Sequence, residues 1–406
     1  MRLNIRFIGL LTAVMILCSY HATCQEKKIK KIKNADDLIA AIRLVAGKRH
    51  RIDSLPQSHR SLYFSFLPVS SQAPGAGIAL LTSTTIGFYL SSLPKTSFST
   101  IVFSPYVTFD GRIGFTLKSN LWLARNKWEI IGDTRYLYYP QDTWGLGGSF
   151  DDENRLLINY KYVRFYETIL RRIRPDFLIG LGYHADAHFD IRSLNDSPTL
   201  AKFSGYPYGT GSSENSFSSG LSANILYDER KNEFNPLPGF YGNLVFRVNS
   251  TNLGGNTNWQ SLYLDLRRYI SFSGDEHQNM LAFWTFYWTV FKSHAPYLDL
   301  PSIGWDPYQQ RSGRGILQNR YRGNSLFYLE SEYRKDITEN GLFGFVLFAN
   351  LNSVTEPVTY QFEYLHLAAG GGLRMKFNKR SGTNICLDYG VSRGYSAVYL
   401  NLGETF

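Results

Sequence analysis

At 406 residues the chain has room for two or three soluble domains, yet no composition shift marks a boundary between them. The formal net charge of +10 is spread along the chain, and its aromatics sit in alternating segments rather than in a stacking motif, which argues against a nucleic-acid partner. Aromatics make up 16% of residues, and past the N-terminus no run approaches the roughly 20 apolar residues of a membrane helix; a helical span is excluded and a β-barrel is left open.

Residues 1–24 have the three parts of a secretory signal peptide. Arg2 and Arg6 supply the charge, residues 7–17 the apolar run, and Ala22-Thr23-Cys24 the small-residue cleavage site. Gln25 is then the first mature residue. A lipoprotein signal is the weaker reading, because His21 stands where that signal has Leu. Cleavage leaves Cys386 alone, so neither a disulfide framework nor a Cys-based metal site is expected. Residues 25–60 read as a short periplasmic segment. A basic run from Lys27 to Lys33 precedes a short helix capped by Asn34, with Asp36 and Asp37 in its first turn. Leu38, Ile39, Ile42 and Val45 form its stripe, and Gly47 stops it; the segment is a tether or small plug, or a linker with one marginal helix.

Residues 61–406 read as strand after strand. The expected strands are 61–70, 76–90, 96–108, 111–124, 127–140, 154–167, 175–188, 216–228, 239–253, 257–271, 277–292, 324–337, 341–353, 363–378, 382–391 and 395–406. The first is short and contains Pro68, which weakens pairing. The count is about sixteen, and even, as single-chain bacterial barrels require. Between Leu326 and Arg334, Tyr328, Glu330, Glu332 and Arg334 share one face, and Phe327, Leu329 and Tyr333 the other. Similarly, Ile385, Leu387, Tyr389 and Val391 oppose Asn384, Cys386 and Asp388. Charges recur on one face of most strands and would be costly in a dry core. The expectation is therefore an all-β transmembrane antiparallel barrel with a polar, wet lumen and an apolar face on lipid.

Connection lengths give an independent test. With Phe406 at the periplasmic end, the short connections 91–95, 125–126, 168–174, 229–238, 274–276, 338–340 and 379–381 all fall on that side. The long ones, 141–153, 189–215 and 293–323, all fall on the other.

Several motifs resemble those of the bacterial surface antigen barrels, the BamA/TamA-like outer-membrane family. Tyr227-Asp228 followed by Asn235-Pro236-Leu237-Pro238-Gly239 is similar to its strand-end Asp and Pro/Gly turn. Arg314-Gly315 matches the Arg-Gly of its loop motif, and Arg320-Tyr321-Arg322-Gly323-Asn324 runs into Glu332-Tyr333-Arg334 as its loop runs into a strand. The closing strand ending at Phe406 resembles the family's terminal signal, and Tyr138-Tyr139-Pro140 with Trp144-Gly145-Leu146-Gly147 a weaker element. The resemblance implies a sixteen-stranded barrel whose long loop folds back into the lumen. It also implies that Arg314 contacts the inner wall, here Glu330, Glu332 and Asn350. Asn350 stands where the family usually has Asp, so Glu332 is the expected two-point partner of the guanidinium. The family's periplasmic POTRA modules have no counterpart in 25–60, which puts client handling of the usual kind in question.

Three functions compete. The first is assistance in inserting or translocating outer-membrane or surface proteins, through a loose seam between strands 61–70 and 395–406. The partners would be outer-membrane lipid, client barrel proteins and other envelope assembly proteins. The alternative is a channel or a structural barrel subunit of an envelope complex. An enzyme is the least expected, since no Gly-x-Ser-x-Gly elbow precedes a helix. His184, Asp186 and His188 share a strand face and could bind a metal, but the expected reading is a solvated lumenal face. No cofactor or metal is expected.

Overall fold

The computed structural model describes Asp37, residues 63–71 and 79–90, and most of the chain from residue 96 onward; short stretches at 109–110, 150, 210–214, 231, 233–234, 237, 274–277, 292–293, 306, 309–311 and 379–381 are not described. The expected signal peptide and, apart from Asp37, the expected segment 25–60 lie outside the described residues.

The chain is one antiparallel sheet. Its strands are β1 (Tyr63–Ser71), β2 (Ala79–Phe88), β3 (Ser99–Thr108), β4 (Ile113–Trp122), β5 (Trp128–Tyr138) and β6 (Gln141–Thr143). Then come β7 (Leu156–Arg174), β8 (Phe177–Ser193), β9 (Ser216–Asp228), β10 (Gly239–Asn249), β11 (Trp259–Ser271) and β12 (Asn279–Phe291). The last are β13 (Ser325–Asp336), β14 (Phe343–Val354), β15 (His366–Asn378), β16 (Thr383–Ser392) and β17 (Tyr395–Leu402). β5 and β6 both pair with β7, through Tyr138↔Lys161 and Gln141↔Ile158. Tyr139-Pro140 interrupts them, because proline has no N–H for the ladder. β6 thus continues β5, and among the described residues the wall has sixteen strands.

Each strand pairs with the next, and the hydrophobic pattern sets which face looks out. On β16, Leu387, Tyr389 and Val391 are about half exposed while Cys386 and Asp388 are buried. On β14, Phe343 and Leu347 are exposed and Val346, Phe348 and Asn350 buried. On β8, Leu181 is 71% exposed beside buried His184 and Asp186. Apolar side chains out and charged ones in is the organisation of a transmembrane barrel. Long loops gather at one end of the wall and short turns at the other.

The interior differs from the expected wet lumen. The connection between β12 and β13 folds into it and buries the inward charges, so Glu330, Glu332, Arg314 and Arg334 are at most 3% exposed. Apolar groups join them: Ile303, Ile316 and Tyr321 of the loop pack with Trp284, Phe286, Tyr328 and Phe406. Charges tolerate this because they are paired there rather than hydrated.

Three boundaries also differ. Residues 168–174, expected as a turn, are strand, and the reversal comes at Pro175-Asp176, where Asp176 adopts a φ of 59°. β8 continues to Ser193, past the expected start of the loop at 189. β17 stops at Leu402; Gly403, at φ 87°, turns the last residues inward, and Phe406 is buried inside the barrel.

Candidate functional site

The inserted loop reaches the wall through Arg314. Gly313 and Gly315, at φ 79° and 86°, set the turn that aims it. The loop passes so close to β16 that a Cβ on Gly315 would lie 2.7 Å from the Val391 nitrogen. Gly315 N–H donates to the Tyr399 hydroxyl at 2.8 Å, and its carbonyl accepts from Ser392 Oγ at 2.6 Å. Gly313 N–H donates to the Tyr328 hydroxyl at 3.0 Å.

The guanidinium of Arg314 meets three carboxylates. Nε donates to Glu330 Oε1 at 3.0 Å, Nη1 to Asp388 Oδ2 at 2.7 Å, and Nη2 to both Glu330 and Glu332. Its face lies 3.7 Å from the Phe348 ring centroid. The double contact is to a single oxygen of Glu330, whereas Glu332, the expected two-point partner, accepts one bond and shares its other oxygen with Arg334 at 2.6 Å. Asn350 bonds the Arg314 backbone carbonyl at 2.9 Å instead of its side chain.

The network continues to the chain end. Arg374 donates to Asp388 and, at 2.8 Å, to Glu404, which also accepts from Asn384 at 2.7 Å. Arg334 Nη2 donates to the Phe406 carbonyl at 2.9 Å, and the Phe406 ring lies 5.3 Å from that of Trp284. Phe406 therefore closes a lumenal network. Asp388, Arg334, Arg374 and Glu404 were missed as members by sequence reasoning. Alternation places Asp388 and Arg374 on inward faces, but nothing in the sequence says which inward groups meet across the barrel.

A second network holds the loop on the opposite wall. Asp186 accepts from Arg247 Nη1 at 2.6 Å, from the Tyr166 hydroxyl at 2.7 Å and from Tyr162. Arg164 lies 3.5 Å from Asp186 and donates to the Pro307 carbonyl of the loop. Asp299 of the loop accepts from Ser218 Oγ at 2.6 Å. The expected solvated face of His184, Asp186 and His188 is instead buried. The His184 ring stacks on Tyr166 at 4.1 Å and that of His188 on Tyr162 at 4.7 Å. Aromatic packing and two arginines occupy this trio, and the rings do not converge on a common point.

The long-loop end is tied shut. A short helix α1 (Thr199–Ser204) sets Phe203 edge-on to Tyr297 at 5.1 Å. The Tyr206 hydroxyl donates to the Ala295 carbonyl at 3.0 Å. Glu356, between β14 and β15, accepts from the Gly148 N–H at 2.6 Å, and Tyr321 stacks on His366 at 3.5 Å. Arg322 is fully buried and donates to the Tyr297 and Leu300 carbonyls at 3.0 and 3.2 Å.

β1 and β17 run close to one another, but among the described residues no backbone register joins them.

No family model and no curated protein matches the chain. Among solved structures the fold is similar to BamA from Haemophilus ducreyi lacking POTRA domains 1–3, with a TM-score of 0.55 and 13% identity over 86% of this chain and 70% of that one. It is similar to CdiB from Acinetobacter baumannii at a TM-score of 0.54 and 11% identity, over 85% and 65% of the two chains. It is also similar to CdiB from Escherichia coli at 0.55 and 12%, over 86% and 63%. The chain thus spans about two thirds of the length of these proteins, and the likeness is one of fold.

Proposed function

We propose that the chain is a Gram-negative outer-membrane barrel, exported through the periplasm, that assists insertion or translocation of outer-membrane or surface proteins. The observation that carries this reading is the seam. Sequential wall strands are joined by ladders, while among the described residues β1 and β17 approach without one. An unpaired strand edge offers backbone donors and acceptors to an incoming strand. Pro68 on β1 has no N–H to offer a partner strand. The inward turn at Gly403 shortens the edge on β17.

Support also comes from the fold shared with BamA and CdiB barrels. In this reading the Arg314 network seats the loop and stiffens the wall from β13 to β17 beside the seam, with Glu330, Glu332 and Asn350 as its wall contacts. The packed lumen weighs against a standing open channel. A photo-crosslinker at Phe64 on β1 is expected to capture nascent barrel proteins when other assembly factors are depleted, and one at Leu181 on β8 is not. Equal capture at both sites, or none at Phe64, would overturn the proposal.

A further inference from the structure

Glu167 stands on the outward face of β7. Its row runs Gly132↔Glu167↔Tyr183 across β5, β7 and β8. Its outward neighbours along the strand are Phe165 and Ile169, 44% and 51% exposed. The same face of β7 reaches polar ground at both ends. Toward the long loops Lys161 pairs with Asp190 at 2.6 Å, and toward the short turns the Arg171 guanidinium lies 5.6 Å from the exposed Trp128 ring. Ten residues separate Lys161 from Arg171, about 33 Å of strand, or about 25 Å of membrane depth at the usual tilt. That is the height of a barrel's apolar band, and Glu167 lies within its middle part.

The carboxylate has no partner among the described residues. It lies over Gly132, where a Cβ would sit 2.7 Å from Glu167 Oε1 and 2.5 Å from Ser119 Oγ. The neighbouring Tyr183 hydroxyl bonds Ser219 at 2.9 Å. A glycine therefore seats the acid against the wall, with open membrane in front of it. Ionisable groups facing the hydrocarbon are costly, and they find partners where partners exist. Lipid amines stay at the two interfaces and do not reach this depth. A two-fold contact with a second copy through this face would set Glu167 against its own like charge.

We propose that Glu167 marks a docking face for a second membrane protein whose spanning segment carries a lysine or arginine at mid-depth. The proposal is independent of the seam, because Glu167 is on β7 and its test involves no client protein. The full barrel is reconstituted in phosphatidylcholine vesicles with single-span Leu/Ala peptides bearing either a central lysine or a central leucine. Association is read by energy transfer between labelled barrel and labelled peptide. Wild type is expected to prefer the lysine peptide by about tenfold. Glu167→Gln and Glu167→Leu should abolish the preference while keeping the heat-modifiable mobility of a folded barrel. No preference in wild type, or an undiminished one in Glu167→Gln, would overturn the proposal. So would Glu167-dependent transfer between barrels alone, which would assign the face to a second copy.

Discussion

Arg314 is the cation that Glu330, Glu332 and Asp388 share where the loop meets the wall. Removing one partner of a buried ionic network costs more than the network contributes, because the remaining charges stay buried and unpaired. Arg314→Ala is therefore expected to lower stability by about 3–5 kcal/mol in denaturant unfolding and to expose the loop to protease. Arg314→Lys keeps the charge but cannot reach three acids at once, and should recover only part of the loss. Arg314, Glu330 and Glu332 were legible in the sequence, because a period of two places both acids on one face and a motif marks the arginine. Asp388 was not, since its contact spans 74 residues and depends on which strands face each other across the lumen. Asp299 was also illegible, as a loop residue outside any periodic pattern. Its burial, reinforced by the charge of Asp186, pushes its carboxyl up to about 7. The folded loop then holds a proton that the unfolded chain releases near the usual pKa of about 4, so seating weakens as pH rises between those two values. Limited proteolysis of the loop should be faster at pH 8 than at pH 6, and Asp299→Asn should flatten that dependence.

Strand boundaries show where pattern reading stops. Alternation located the wall strands, and most ends agree within a few residues because turn residues punctuate them. The expected strand 154–167 stops short of the end of β7, with 168–174 read as a short connection. The strand instead carries Ile169 and Ile173 outward, with Arg171 between them at the level of Trp128. β17 was run on to Phe406 because a terminal aromatic completes the pattern. A left-handed turn at Gly403 cannot be read from periodicity, and it sends Glu404 to Arg374 and Phe406 to Trp284. The loop's own turn makes a sharper demand. Gly315→Ala adds a Cβ at φ 86° and 2.7 Å from the backbone of β16. It should destabilise the barrel by about 1–3 kcal/mol, measured as a fall in the midpoint of heat-modifiable mobility.

Sixteen wall strands enclose more space than wall side chains alone fill, and barrels of that size otherwise hold an aqueous channel. Here the loop between β12 and β13 takes up that volume, held by Arg314 on one wall and by the Arg164 contact to Pro307 on the other. The loops around Glu356, Tyr206 and α1 close the mouth above it. The cap leans on the plug through Tyr297 and Tyr321, but the plug is also held from below by Arg314, so loosening the cap leaves the plug in place. Glu356→Ala combined with Tyr206→Phe loosens only the cap. In planar bilayers that double variant should remain as quiet as wild type, because the packed loop still fills the bore. Deleting residues 296–322 removes the plug together with the Tyr297 and Tyr321 contacts of the cap, and should yield a large, steady conductance. A deletion variant that folds, by its heat-modifiable mobility, and still passes no current would show that the wall collapses inward when the loop is gone. The loop would then be a scaffold for the barrel's width rather than a stopper within it.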